Sequence, residues 1–204
     1  TTLFRSMGIP VPMAYQRLCR HIADNWQEIQ NYFQTCTGRD NHCVSRIHVR
    51  KMFNTDKIFD MNYDDWRNDP APDTDLQIGA KYAVHVDVSK CFPSIYTHAI
   101  PWALVGKTVA KQKIKGTWYN DLDHMLQFMK DRETHGLLIG PHASNIISEI
   151  LLCKIDSELT QRWKYVRHID DYTCYVMTEE EADEFIAELQ TQLRAYDLSL
   201  NHKK

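Results

Sequence analysis

The sequence has no apolar run approaching the roughly 20 residues a bilayer-spanning helix needs, so no membrane is expected. Its opening, TTLFRSMGIPVP, lacks the basic start and following apolar stretch of a signal peptide. No CxxC pair occurs among its 6 cysteines (Cys19, Cys36, Cys43, Cys91, Cys153 and Cys174), and several sit in apolar runs where a free thiol behaves as a small hydrophobe. A disulfide framework would be unusual in 204 residues, and a reducing, cytoplasmic setting fits better. Cys36, His42 and Cys43 lack a second ligand pair at finger-like spacing, which argues against a zinc finger. There is no repeat, no low-complexity tract and no excess of positive charge. The formal net charge of −3 argues mildly against a general nucleic-acid binder. The chain begins without methionine and stops at Lys203 and Lys204, which leaves open whether further domains, including a thumb, belong to it.

What is present suffices for one sizeable core: 43% of the residues are hydrophobic and 25% charged. The charge is unevenly spread. Residues 1–57 carry eight basic side chains (Arg5, Arg17, Arg20, Arg39, Arg46, Arg50, Lys51 and Lys57) against four acidic ones, and Lys107, Lys111, Lys113 and Lys115 form a second basic stretch. The acidic excess lies around 60–75 and in TEEEADEFIAE at 178–188. Basic stretches could follow a phosphate backbone while acidic faces stay in solvent, although ordinary solvated surface explains the charge alone equally simply.

Tyr15, Leu18, Cys19, Ile22, Trp26, Ile29 and Phe33 recur at intervals of three and four, which predicts one helix over about 12–34. VSRIHVRKMF at 44–53 suggests a strand or hairpin, and NDPAPDTDLQIG at 68–79 a polar connection. KYAVHVDVS at 81–89 alternates like a strand and runs into a turn and helix. Leu122, Met125, Leu126 and Met129 mark another helix. GLLIGPHASN at 136–145 is a loop leading into a helix that buries Ile146, Ile147, Ile150, Leu151, Ile155 and Leu159. WKYVRHI and YTCYVM predict a hairpin with Asp170 and Asp171 at its tip. Thr178 and Glu181 form a capping box opening a helix faced by Ala182, Phe185, Ile186, Leu189 and Leu193, and DLSLNHKK ends as a short strand. Strands mixed with helices in this order predict an α+β layer, an antiparallel sheet backed by helices.

Paired aspartates are common in turns, because aspartate tolerates turn dihedrals. Asp87 is different: it ends an apolar strand, where a turn residue is not expected. A third carboxylate meeting the hairpin tip would supply the oxygen ligands of a pair of magnesium ions roughly 3.5–4 Å apart.

VDVSKCFPSIYTH resembles the first carboxylate motif of reverse transcriptases, GLLIGPHASNIISEI their glycine-containing second motif, RHIDDY their YxDD box, and LNHKK their terminal lysine motif. The motifs stand in the family's order over about 81–204. RSMGIPVPMAYQRLCRHIADNW, IYTHAIPWAL and SEI look specifically like abortive-infection reverse transcriptases of bacterial phage defence, more than like retron-type or group II intron-type enzymes. The resemblance implies a right-hand polymerase: a mainly helical, fingers-like region at 1–80 with a short hairpin, and a palm at 81–204. It implies an RNA-directed DNA polymerase with two Mg2+ ions held by Asp87, the Val88 carbonyl, Asp170 and Asp171. Cys91, Phe92, Gly140, Arg50 and Lys204 would contact the nucleotide, with the Phe92 ring excluding a ribose 2′-hydroxyl. Implied partners are deoxynucleoside triphosphates and an RNA or DNA template or primer, the oligomeric state being open; synthesis without a template stays open too. The family's usual tyrosine before the aspartates is His168 here, and its usual glutamine is Ile139. A catalytically silent scaffold of the same fold, binding nucleic acid or protein, is the competing reading.

Overall fold

Pro12 starts the first helix, where its missing N–H costs nothing, and α1 runs over Pro12–Asp24. The predicted single helix is in fact two, because α2 begins at Trp26 and ends at Thr37. Asn25 is the break: its side-chain amide donates to the His21 carbonyl at 2.8 Å, competing with the backbone ladder. The apolar stripe survives the interruption, with Leu18, Ile22, Trp26 and Ile29 all buried. The computed structural model describes residues 6–37, 44–45, 47–51, 59–63, 73–112 and 116–201.

The hairpin expected near 44–53 is β1 (Ile47–Lys51) paired antiparallel with β2 (Phe59–Tyr63). Within the expected connection, Asp73–Gln77 forms a short helix, α3. Then follow β3 (Tyr82–Asp87), α4 (Cys91–Ser94), α5 (Ala99–Val105), α6 (Lys107–Gln112), α7 (Trp118–Met129), α8 (His142–Leu159), β4 (Tyr165–His168), β5 (Asp171–Val176) and α9 (Glu179–Arg194).

β3, β5 and β4 form one antiparallel sheet in that order. With the helices it makes the predicted α+β arrangement. Among the described residues no helix is long and apolar enough to cross a membrane. α8 is buried nearly all round and packs against α2, α5 and α9, so it is the spine of the domain. α9 lies over β3 and β5, burying Phe185, Leu189 and Leu193. Its start is capped as expected: the Thr178 hydroxyl accepts from the Glu181 amide at 3.2 Å, while the Glu181 carboxylate accepts from the Met177 amide at 2.8 Å. Of the predicted terminal strand, the described residues contribute an isolated bridge, Val88 to Leu200, and residues 202–204 lie outside them.

Candidate active site

The tip of the β4–β5 hairpin differs by one residue from the sequence reading. The two turn residues are Ile169 and Asp170, and Asp171 already belongs to β5. Residue 169 takes the left-handed φ of 56° that a two-residue turn demands, although isoleucine is poorly suited to it. Asp171 consequently pairs with His168 on one side and with Asp87 on the other. One row across the sheet therefore reads His168, Asp171, Asp87. Directly opposed residues of an antiparallel pair have Cβ atoms about 5 Å apart on the same face.

Three backbone contacts bring Asp170 and the chain's last described residues to the same end. The Val88 amide donates to the Asp170 carbonyl at 3.0 Å, the Ser89 amide to the Ser199 carbonyl at 2.8 Å, and the Asn201 amide to the Asp87 carbonyl at 2.9 Å. The Asn201 side-chain amide also donates to Asp87 Oδ2 at 3.2 Å. Asp87, Asp170 and Asp171 bring carboxylate oxygens to this end, the ligand chemistry a hard divalent cation selects. Among the described residues, no three His, Cys, Asp or Glu side chains are already closed around a common point as a metal site.

The turn after β3 forms the floor. Lys90 adopts a left-handed φ of 46° and starts α4. Cys91 is buried, so its thiol cannot face a ligand and only its backbone can; burial, then the nearby Asp170 carboxylate, push the thiol up to about 12. The Phe92 ring is half-buried and packs on the core, and its carbonyl accepts from the Leu137 amide at 2.7 Å. With the Gly136 amide donating to the Ile95 carbonyl at 2.8 Å, this ties the first motif to the second. A side chain at Gly136 would put Cβ 2.9 Å from the Pro93 carbonyl oxygen, at a φ of 84°. Gly140 has a φ of 120°, and its missing Cβ would lie 3.0 Å from Met7 Cε. Next to it, the Gly8 amide donates to the Ile139 carbonyl at 2.8 Å, so residues 7–8 cover the second motif.

Arg50 lies in β1 opposite Asp60, while Arg46 and Lys204 fall outside the described residues. A cavity of about 1230 Å³ lies elsewhere, lined by Tyr32, Cys36, Trp102, Lys154, Trp163 and Tyr196 among others, and none of the three aspartates lines it.

Sequence reasoning missed Asn201, whose motif was read for its lysine. It also missed a buried cluster beneath the hairpin, in which Arg167 on β4 meets Glu149 and Asp156 on α8. The available signal was Glu149 and Asp156, seven positions apart and hence on one face, among the apolar positions expected to be buried. Burial pushes the Glu149 carboxyl up, but the Arg167 guanidinium outweighs this and holds it below the usual range. Burial raises Asp156, and Arg167 and the Tyr165 hydroxyl offset that only in part.

A family model described as reverse transcriptase (RNA-dependent DNA polymerase) matches residues 12–204. No curated protein matches the chain.

Proposed function

Because the chain belongs to the reverse transcriptase family, we propose that it is a DNA polymerase adding deoxynucleotides to a primer end through Asp87, Asp170 and Asp171 with two magnesium ions. The observation that carries this reading is the register that sets Asp87 against Asp171, beside Asp170. Like charges placed directly opposite each other destabilise a ladder, and a divalent cation between them reverses the sign of that term. When bound, magnesium would lower the pKa of the primer hydroxyl and neutralise charge on the triphosphate.

In this reading residues 1–80 are the fingers and 81–204 the palm. The Val88 carbonyl joins the aspartates as a metal ligand. The Cys91 backbone and the Phe92 ring line the sugar subsite, and Gly140 lets the chain approach the nucleotide without a side chain in the way. Arg50 and Lys204 contact the triphosphate. RSMGIPVPMAYQRLCRHIADNW, IYTHAIPWAL and SEI support a role in bacterial antiphage defence by abortive infection, in the cytoplasm.

Magnesium-dependent primer extension, on RNA, on DNA and without template, tests the reading, with Asp170→Asn alongside. Incorporation by the wild type that Asp170→Asn abolishes is the expected result. No incorporation on any substrate would leave a nucleic-acid-binding or protein-binding scaffold of this fold.

A further inference from the structure

Arg167 has no solvent exposure and stands three residues before Asp170. All five of its N–H groups can be assigned a partner. Nε donates to Asp156 Oδ2 at 2.9 Å. Nη2 donates to Asp156 Oδ2 at 2.6 Å and to Glu149 Oε1 at 3.0 Å. Nη1 donates to Glu149 Oε2 at 3.0 Å and to the Ile169 carbonyl at 2.8 Å. Around this fork, the Tyr165 hydroxyl donates to Asp156 Oδ1 at 2.8 Å and the Arg167 amide to the Val44 carbonyl at 2.9 Å.

Buried ion clusters contribute little net stability compared with well-packed apolar side chains of similar volume. An apolar replacement here would lose the bond to the Ile169 carbonyl, besides the Asp156 acceptor of the Tyr165 hydroxyl. That carbonyl belongs to the β-branched residue at a φ of 56°, a conformation that persists only where its surroundings impose it. The next residue, Asp170, is held from the other side by the Val88 amide. The turn is thus pinned from α8 through Arg167 and from the end of β3 through the next residue, Val88.

We propose that Arg167, oriented by Glu149 and Asp156, is a positioning residue: its guanidinium clamps the Ile169 carbonyl and so fixes the turn presenting Asp170 and Asp171. Its consequence for catalysis rests on the polymerase reading; the clamp itself does not. The five bonds use five N–H groups spread over a rigid plane, whereas an ammonium offers three from one point, so lysine cannot replace it.

The test uses two variants. Arg167→Met/Glu149→Leu/Asp156→Leu removes every charge of the cluster, leaving no stranded ion but an unpaired Tyr165 hydroxyl, and should melt within about 10 °C of the wild type. Arg167→Lys keeps a cation for the two acids and decides the matter if the triple variant does not fold. In both, amides of residues 169–171 should exchange with solvent at least about 10-fold faster than in the wild type, by local opening of the turn. kcat for nucleotide incorporation should fall roughly 10- to 100-fold, the effect of a small misplacement, with the nucleotide KM within about threefold. Wild-type exchange at 169–171 in the folded variants would overturn the clamp. A wild type without incorporation would instead overturn the polymerase reading, and the exchange comparison would still decide the clamp.

Discussion

Asp171, the first residue of β5, stands directly opposite Asp87, the last residue of β3. Neighbouring Tyr172 and Val86 point the other way, into the core, as the two-residue period of a strand requires. The two carboxylates therefore share the open face at one end of the sheet, where repulsion between them is a standing cost of roughly 0.2–1 kcal/mol.

Removing that repulsion should separate stability from activity. Asp171→Asn should raise metal-free stability by up to about 1 kcal/mol, while nucleotide incorporation falls by at least ~100-fold, as on losing a major electrostatic contributor. Added magnesium should raise the wild-type melting temperature and leave that of the variant nearly unmoved. Thermal unfolding with and without magnesium, beside primer extension, checks both halves. An active variant would remove Asp171 from the site.

Sugar choice tests Phe92. Steric overlap of a ring with a 2′-hydroxyl is worth about 1–3 kcal/mol by the measure of overpacking, or roughly 5- to 150-fold in rate. Phe92→Ala should admit ribonucleotides by such a factor while modestly weakening deoxynucleotide use. Matched single-nucleotide incorporation measures it, and an unchanged sugar preference would make Phe92 a core residue only.

The two glycines of the second motif should respond unequally to alanine. At Gly136 the new Cβ meets a backbone oxygen at 2.9 Å, which cannot swing aside. At Gly140 it meets the end of the Met7 side chain, which can. Both pay for a left-handed backbone, about 1–3 kcal/mol. Gly136→Ala should be the more destabilising by denaturant unfolding, and should lower kcat because it displaces the turn carrying Phe92. Equal losses would count against this assignment.

Cys174 supplies a pH test away from the carboxylates. Burial, and secondarily Glu181, push its thiol from 9.0 up to about 12. A group raised in the folded state favours folding only while the unfolded form also keeps its proton. Stability from this thiol is therefore intact below pH 9 and declines as pH rises from there towards 12. At pH 8 its alkylation should be roughly a thousandfold slower in the folded than in the unfolded chain, following the thiolate fraction. Mass spectrometry of the peptide containing Cys174 reads this directly, and rapid labelling of folded protein would contradict it.

The strands and the amphipathic helices were legible because their signals are local: alternation wrote β3, runs rich in β-formers wrote β4 and β5, and three-four spacing wrote α7 and α9. The helix break at Asn25 was not, since the apolar stripe continues across it. The hairpin was legible but its turn was misplaced by one residue, because isoleucine gives no hint that it will adopt a positive φ. Asp87, Asp170 and Asp171 could be proposed from pattern, whereas the cluster around Arg167 could not be read at all. The arginine's partners Asp156 and Glu149 lie 11 and 18 positions away on another element, a separation no spacing rule reaches.

The bond from Asn201 to the Asp87 carboxylate spans 114 positions of chain. On a ribosome adding about 5–20 residues per second, the asparagine is made roughly 6–23 seconds after the aspartate it seats. Throughout that interval the sheet end lacks a wall, so a nascent chain cannot carry a finished site. Contacts of such range also make for slow folding, since the loop must close before the bonds that reward closure can form. In the polymerase reading, incorporation therefore begins only after translation has passed residue 201.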